Sequence, residues 1–111
     1  MQQSHRQQLK EVVLQKQKDY HGILITHGTD TMVESAKEVD SLGVAIPVVF
    51  TGAMRPFIIE NSDAFQNVCE SMLALQLLSK GVYIVIHNQV FTAKHVRKNF
   101  EKMCFETIAG D

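Results

Sequence analysis

The residues best suited to chemistry stand in one run, Thr26-His27-Gly28-Thr29-Asp30-Thr31. Hydroxyls, an imidazole, a carboxylate and a glycine follow directly on the apolar Ile23-Leu24-Ile25, and a helical pattern begins at once after them. Open α/β sheets bind ligands in the crevice outside the carboxyl ends of their strands, so a polar cluster at such a junction is a site candidate. The chemistry that fits is acyl transfer, which needs a nucleophile, a base and a stabiliser for the developing oxyanion. Thr29 offers the hydroxyl, and Gly28 lets the backbone come close to a ligand. A threonine hydroxyl is inert near neutral pH unless a base sits beside it. Lysine can be that base only where burial or positive charge brings its pKa down from about 10.4, and a carboxylate such as Asp30 pushes the other way. The competing reading is local: Thr29, Asp30 and Thr31 are good helix N-caps, worth about 1 kcal/mol each. Both hold if Thr31 caps while Thr29 reacts.

Other polar residues carry weaker signals. His27 and His87 each end a strand but show no metal-ligand spacing, so they read as hydrogen-bonded structural histidines and no metal site is expected. Arg55, in Thr51-Gly52-Ala53-Met54-Arg55-Pro56, could steer a substrate carboxylate or anchor a turn. Asp63 and Asn67 cap a helix by default, with contact to the site loops as the minority reading. Lys94, His95, Arg97 and Lys98 form a basic cluster of the kind that usually faces solvent. Cys69 and Cys104 lack CxxC spacing and read as reduced thiols in packing roles.

The elements that must position these residues follow from periodicity. An amphipathic helix is expected over residues 2–18, with Leu9, Val12 and Val13 on one face. A strand over 21–26 is apolar throughout and so expected to be covered on both sides. Thr31 with Glu34 makes a capping-box pattern, opening a helix that carries Met32, Val33, Ala36 and Val39 and stops at Gly43. A second strand spans 47–51. Asn61, Ser62 and Asp63 offer caps to a third helix, whose Phe65, Val68, Cys69, Met72, Leu75 and Leu78 read as core. Gly81 precedes a third strand over 82–86. Beyond Asn88 no period is strong, and only a short strand near Val90 and Phe91 is indicated. This order gives βαβ units, a parallel doubly wound sheet and right-handed crossovers.

At 111 residues the chain makes one domain at most. Its 45% hydrophobic and 21% charged residues argue for a globular fold rather than disorder. A net charge of -1 gives no field directed at nucleic acid or anionic membrane. No apolar run approaches the ~20 residues of a membrane span. The opening MQQSHRQQLKE has no apolar h-region, so no signal peptide is expected and a cytoplasmic location is.

The strings THGTDTMVESAK, PVVFTGAMRP, Ser62-Asp63-Ala64-Phe65-Gln66-Asn67 and VFTAKHVRKN together resemble the L-asparaginase family, in family order and spacing. The closer likeness is to short, single-domain asparaginase-like proteins. The resemblance implies a three-layer, doubly wound parallel sheet of the Rossmann or flavodoxin kind. It also implies hydrolysis of L-asparagine to L-aspartate and ammonia through a threonine-based acyl-enzyme, without metal or organic cofactor. The family's second motif, a threonine, an aspartate and a lysine, maps onto Thr29, Asp30 and Lys98; spacing from Val90 and Phe91 favours Lys98 over Lys94. In these roles Thr29 helps activate the nucleophile or a water, Asp30 holds the substrate's α-ammonium, and Lys98, kept partly neutral, relays the proton. Gly28, Thr29 and Asp30 form the substrate contact. The implied partner is a small amino acid, L-asparagine with L-glutamine or D-asparagine as alternatives, and a homo-oligomer is implied as well.

The family's first motif, a Thr-Gly-Gly-Thr-Ile type loop carrying the primary nucleophile, does not occur in this sequence, nor does the early Asp-Ser substrate pair. Residues 1–111 therefore read as a partial domain, incomplete at the N-terminus, without its opening strand and nucleophile loop. The alternative is a non-catalytic remnant that binds a small amino acid or assembles with other chains. A third reading, the deamidating component of a tRNA-dependent amidotransferase, shares the threonine motifs, but the near-neutral charge speaks against direct tRNA contact.

Overall fold

The computed structural model of the chain describes residues 2–55 and 62–108. The element order is α1 (Gln3–Lys16), β1 (Ile23–Thr26), α2 (Met32–Asp40), β2 (Pro47–Thr51), α3 (Ala64–Leu77), β3 (Gly81–Ile86) and β4 (Gln89–Thr92). A 3-10 turn (Ala93–His95) then leads to β5 (Val96–Asn99) and β6 (Cys104–Thr107). The main sheet has the order β1-β2-β3-β4, and β5 with β6 forms a separate hairpin. β1, β2 and β3 are parallel, with Ile25 opposite Phe50 and Phe50 opposite Ile84. β4 runs antiparallel to β3, so the sheet is mixed rather than wholly parallel. His87 and Asn88, with φ of 51° and 63°, make the two-residue turn between them. Such turns suit the twist of hairpin strands and favour asparagine.

Strand alternation divides the core into two faces. Val48, Phe50, Val82, Ile84 and Ile86 pack against Val13 of α1 and Met32, Ala36 and Val39 of α2. Val49 and Val85 point the other way, against Ala74 of α3. Helices thus cover both faces, in the three layers expected. Yet β1→β2 and β2→β3 step across the sheet in the same direction, while α2 and α3 lie on opposite faces. The two crossovers must then have opposite hands, and one departs from the right-handed rule.

Several expectations are corrected. β1 is an edge strand and only half-buried, because nothing among the described residues pairs with its outer side. Val12 is 49% exposed; Val13 alone is buried on α1, with Leu9 against the core. Thr31 occupies the N-cap of α2 without the capping hydrogen bond, and Glu34 turns to Arg6 instead. The largest reversal is α3. Its buried residues are Asn67, Ser71 and Ala74, whereas Phe65, Cys69 and Met72 face solvent. The cause is hydrogen bonding: Ser71 Oγ donates to the Asn67 and Val85 carbonyls, and the Asn67 amide bridges the loop after β2 and the turn after β3. Cys69 therefore has no packing role. The expected cap at Asn61 lies outside the described residues. Gly43, at φ 67°, follows α2 as anticipated.

Candidate active site

β1 delivers His27 and Gly28 to the carboxyl edge of the sheet, and Thr29 and Asp30 precede the first turn of α2. The register is held from both sides. His27 N donates to the Thr51 carbonyl at 2.9 Å, extending the β1–β2 ladder by one bond. The His27 ring donates through Nδ1 to the Gly28 carbonyl at 2.6 Å and meets Ser35 Oγ through Nε2 at 2.9 Å. Ser35 in turn accepts from Arg6 Nε on α1 at 3.1 Å, and Arg6 pairs with Glu34 at 2.9 Å. A buried serine thus ties the site loop to two helices.

Lys98 arrives from the far end of the chain. Alternation along β5 puts Val96 and Lys98 on the same side. Val96 is buried in the core, and Phe105, paired with Lys98 across the hairpin, is buried too. These anchors aim Lys98 inward, while Arg97 points out and pairs with Glu106 at 2.6 Å. Lys98 Nζ donates to Thr29 Oγ1 at 2.7 Å and to Asp30 Oδ1 at 2.6 Å. Its side chain is 3% exposed, whereas that of Asp30 is 78% exposed, so the carboxylate keeps a face open to a ligand. The Nζ also lies 4.9 Å from the Phe100 ring centroid, a cation–π contact that sequence reasoning did not foresee. Lys94 lies elsewhere, exposed and 3.9 Å from Asp40. A methyl group built on Gly28 would meet nothing within 4 Å, which leaves room for a substrate beside Thr29.

A second polar cluster fixes the loop after β2. Asp63 accepts from the backbone N–H groups of Met54 and Arg55, both at 3.0 Å, from Asn67 Nδ2 at 2.9 Å and from His87 Nε2 at 2.6 Å. Burial alone would push its carboxyl up. The Arg55 and Met54 amides, then His87 and Asn67, outweigh burial and hold the pKa down at about 2. Asn67 also donates to the Gly52 carbonyl and accepts from His87 N. Asp63 and Asn67 thus hold the loop and the β3–β4 turn rather than cap α3. The backbone of Arg55 anchors the turn. His87 belongs to this cluster, not to the Thr29 site. The signal available in the sequence was Asn67 and Ser71, a polar i, i+4 pair inside an apolar helix.

This arrangement, a buried lysine between a threonine hydroxyl and a carboxylate at a strand end, sits in a chain with clear relatives. The family model for the N-terminal part of asparaginase matches residues 1–108. L-asparaginase of Thermococcus kodakarensis is 33% identical over 82 residues, covering 72% of this chain and 25% of that protein. A component of the glutamyl-tRNA(Gln) amidotransferase of Methanococcus vannielii is 37% identical over 70 residues, covering 62% of this chain and 16% of the relative. The solved structure of the thermostable L-asparaginase from Thermococcus kodakarensis superposes with a TM-score of 0.87 at 27% identity, covering 97% of this chain and 34% of that one. The chain thus spans about a third or less of the length of these relatives. With the mixed α/β sheet and the family match in agreement, the chain belongs to the asparaginase family, by the family's N-terminal domain.

Proposed function

We propose that this chain carries part of an amidohydrolase site that cleaves the side-chain amide of a small amino acid, L-asparagine first. The observation behind this is the contact of Lys98 Nζ with Thr29 Oγ1 at 2.7 Å and with Asp30 Oδ1 at 2.6 Å. Once Nζ has given up a proton, it can accept the hydrogen of the Thr29 hydroxyl. That oxygen, or a water it polarises, then attacks the amide carbon. The proton passes on to the departing nitrogen, which leaves as ammonia, and water supplies the hydroxyl of the product acid. Asp30 holds the α-ammonium of the substrate, and Gly28 gives the substrate space. Neither metal nor organic cofactor is required by this chemistry.

The test is ammonia release from L-asparagine, D-asparagine and L-glutamine by the purified chain. Lys98→Met and Thr29→Val should each lower the rate by about 100-fold or more. A folded chain that releases no ammonia from any of the three refutes turnover. A second reading is amino-acid binding without turnover, which the exposed carboxylate of Asp30 beside Thr29 also supports. Calorimetric binding of L-asparagine without ammonia release would select it, and absence of both would exclude both. No helix among the described residues is long and apolar enough to cross a membrane.

A further inference from the structure

Lys98 Nζ gives hydrogen bonds to Thr29 Oγ1 and Asp30 Oδ1, and it also lies over the ring of Phe100, 4.9 Å from the centroid. An ammonium group within ~6 Å of a ring centroid is attracted by the negative face of the π system. Chain geometry explains how the ring gets there. Lys98 and Phe100 are two residues apart, and positions i and i+2 of an extended chain share a side. The alternation that aims Lys98 inward thus carries on past the end of β5 and brings Phe100 to the same side. The turn that follows is closed by Asn99, whose Oδ1 accepts from the backbone N–H groups of Glu101 at 3.1 Å and Lys102 at 3.0 Å. Across the hairpin Asn99 pairs with Cys104, and Met103 at φ 52° completes the reversal.

Core packing does not account for this placement. Phe100 is 60% exposed, whereas the Lys98 side chain beside it is 3% exposed. A phenyl ring gains most by burying its own apolar surface. Here the ring stays largely outside, and the charged side chain is the one enclosed. We propose that Phe100 is a positioning residue for Lys98: its ring roofs the ammonium, keeps bulk water off it and holds Nζ against Thr29 Oγ1 and Asp30 Oδ1. An aliphatic side chain in the same place would exclude some water but offer the cation no attraction. The part this contact plays in turnover rests on the proton transfer by Lys98 proposed above.

NMR of the ammonium groups in the chain carrying isotope-labelled lysine tests this. Lys98, identified by the signal that Lys98→Arg removes, should exchange its ammonium protons slowly with water. Its terminal methylene protons should lie upfield through the ring current. Phe100→Ala should speed the exchange by about tenfold, the loss expected for a sheltered cation–π contact, and abolish the upfield shift. Phe100→Leu should abolish the shift and keep only part of the protection, and Phe100→Tyr should restore both. Circular dichroism melts of all three variants should match the parent, because the ring is already largely in water. If Phe100→Ala does not fold, the comparison of Phe100→Leu with Phe100→Tyr carries the test. In turnover, Phe100→Leu should lower kcat several-fold and leave KM for L-asparagine unchanged, since Gly28 and Asp30 are untouched. Equal exchange in the parent and Phe100→Ala overturns the proposal, as does an upfield shift that survives Phe100→Leu. The NMR signals need no turnover. A chain that shows them without releasing ammonia refutes hydrolysis and leaves the roof over Lys98 standing; a chain that turns over without them refutes the roof alone.

Discussion

Gly52→Ala places a methyl group where the two loops of the carboxyl edge come closest. A Cβ at Gly52 would fall nearer than 3.0 Å to the His27 carbonyl oxygen and 3.1 Å from the Met32 Cε. Met32 can bend away; the carbonyl cannot, because His27 N is bonded to the Thr51 carbonyl next to it and the β1–β2 ladder fixes both chains. Overpacking costs about 1–3 kcal/mol, and a backbone obstacle puts this case at the upper end. For a domain of this size about 3 kcal/mol lowers the midpoint of thermal unfolding by roughly 12–20 °C. Gly28→Ala is the matched control, because its Cβ would meet nothing within 4 Å and its φ lies outside the left-handed region. It should leave stability unchanged or raise it by up to about 1 kcal/mol. Thermal melts followed by circular dichroism on the three chains decide the matter. Equal melting of Gly52→Ala and the parent would refute the close-approach argument, as would a large loss in Gly28→Ala.

Further outcomes are expected. The carboxyl of Asp63 is held below its ordinary value, at about 2 instead of 3.8, so its stabilisation is complete above about pH 4 and is lost as pH falls toward 2. Asp63→Asn should flatten the acid limb of the stability profile, and denaturant titrations between those values check it. Asn67→Ala removes the partners of the Gly52 carbonyl and of His87 N, and should cost about 2–4 kcal/mol by urea unfolding. Met103 sits at φ 52° in the β5–β6 turn, so Met103→Gly should stabilise by about 0.5–1 kcal/mol, measured the same way.

The sequence made the helices, the first three strands and the Thr29–Asp30 junction legible, because apolar period and loop chemistry agree there. It misplaced the inner face of α3, because apolar spacing alone marks Phe65, Cys69 and Met72 as core. Asn67 and Ser71 win that face through hydrogen bonds to Gly52, His87 and Val85, which lie far off in sequence. The hairpin of β5 and β6 also escaped notice. Its strands are four residues each, and Val96 and Phe105 are their buried anchors. Arg97 and Lys98 look alike as neighbouring cations in a basic stretch. Strand alternation, visible only once β5 is known, sends one to Glu106 and the other to Thr29.

The opposite placement of α2 and α3 has a consequence for where a small molecule can enter. In most layered sheets, neighbouring loops part company only where the strand sequence doubles back. Here β1, β2 and β3 lie side by side in chain order, yet the chain leaving β1 climbs over one side and the chain leaving β2 dives under the other. The two loops therefore diverge between adjacent, consecutive strands, just beyond the point where Gly52 packs on the His27 carbonyl. Reversing the winding does for this molecule what reordering strands does elsewhere.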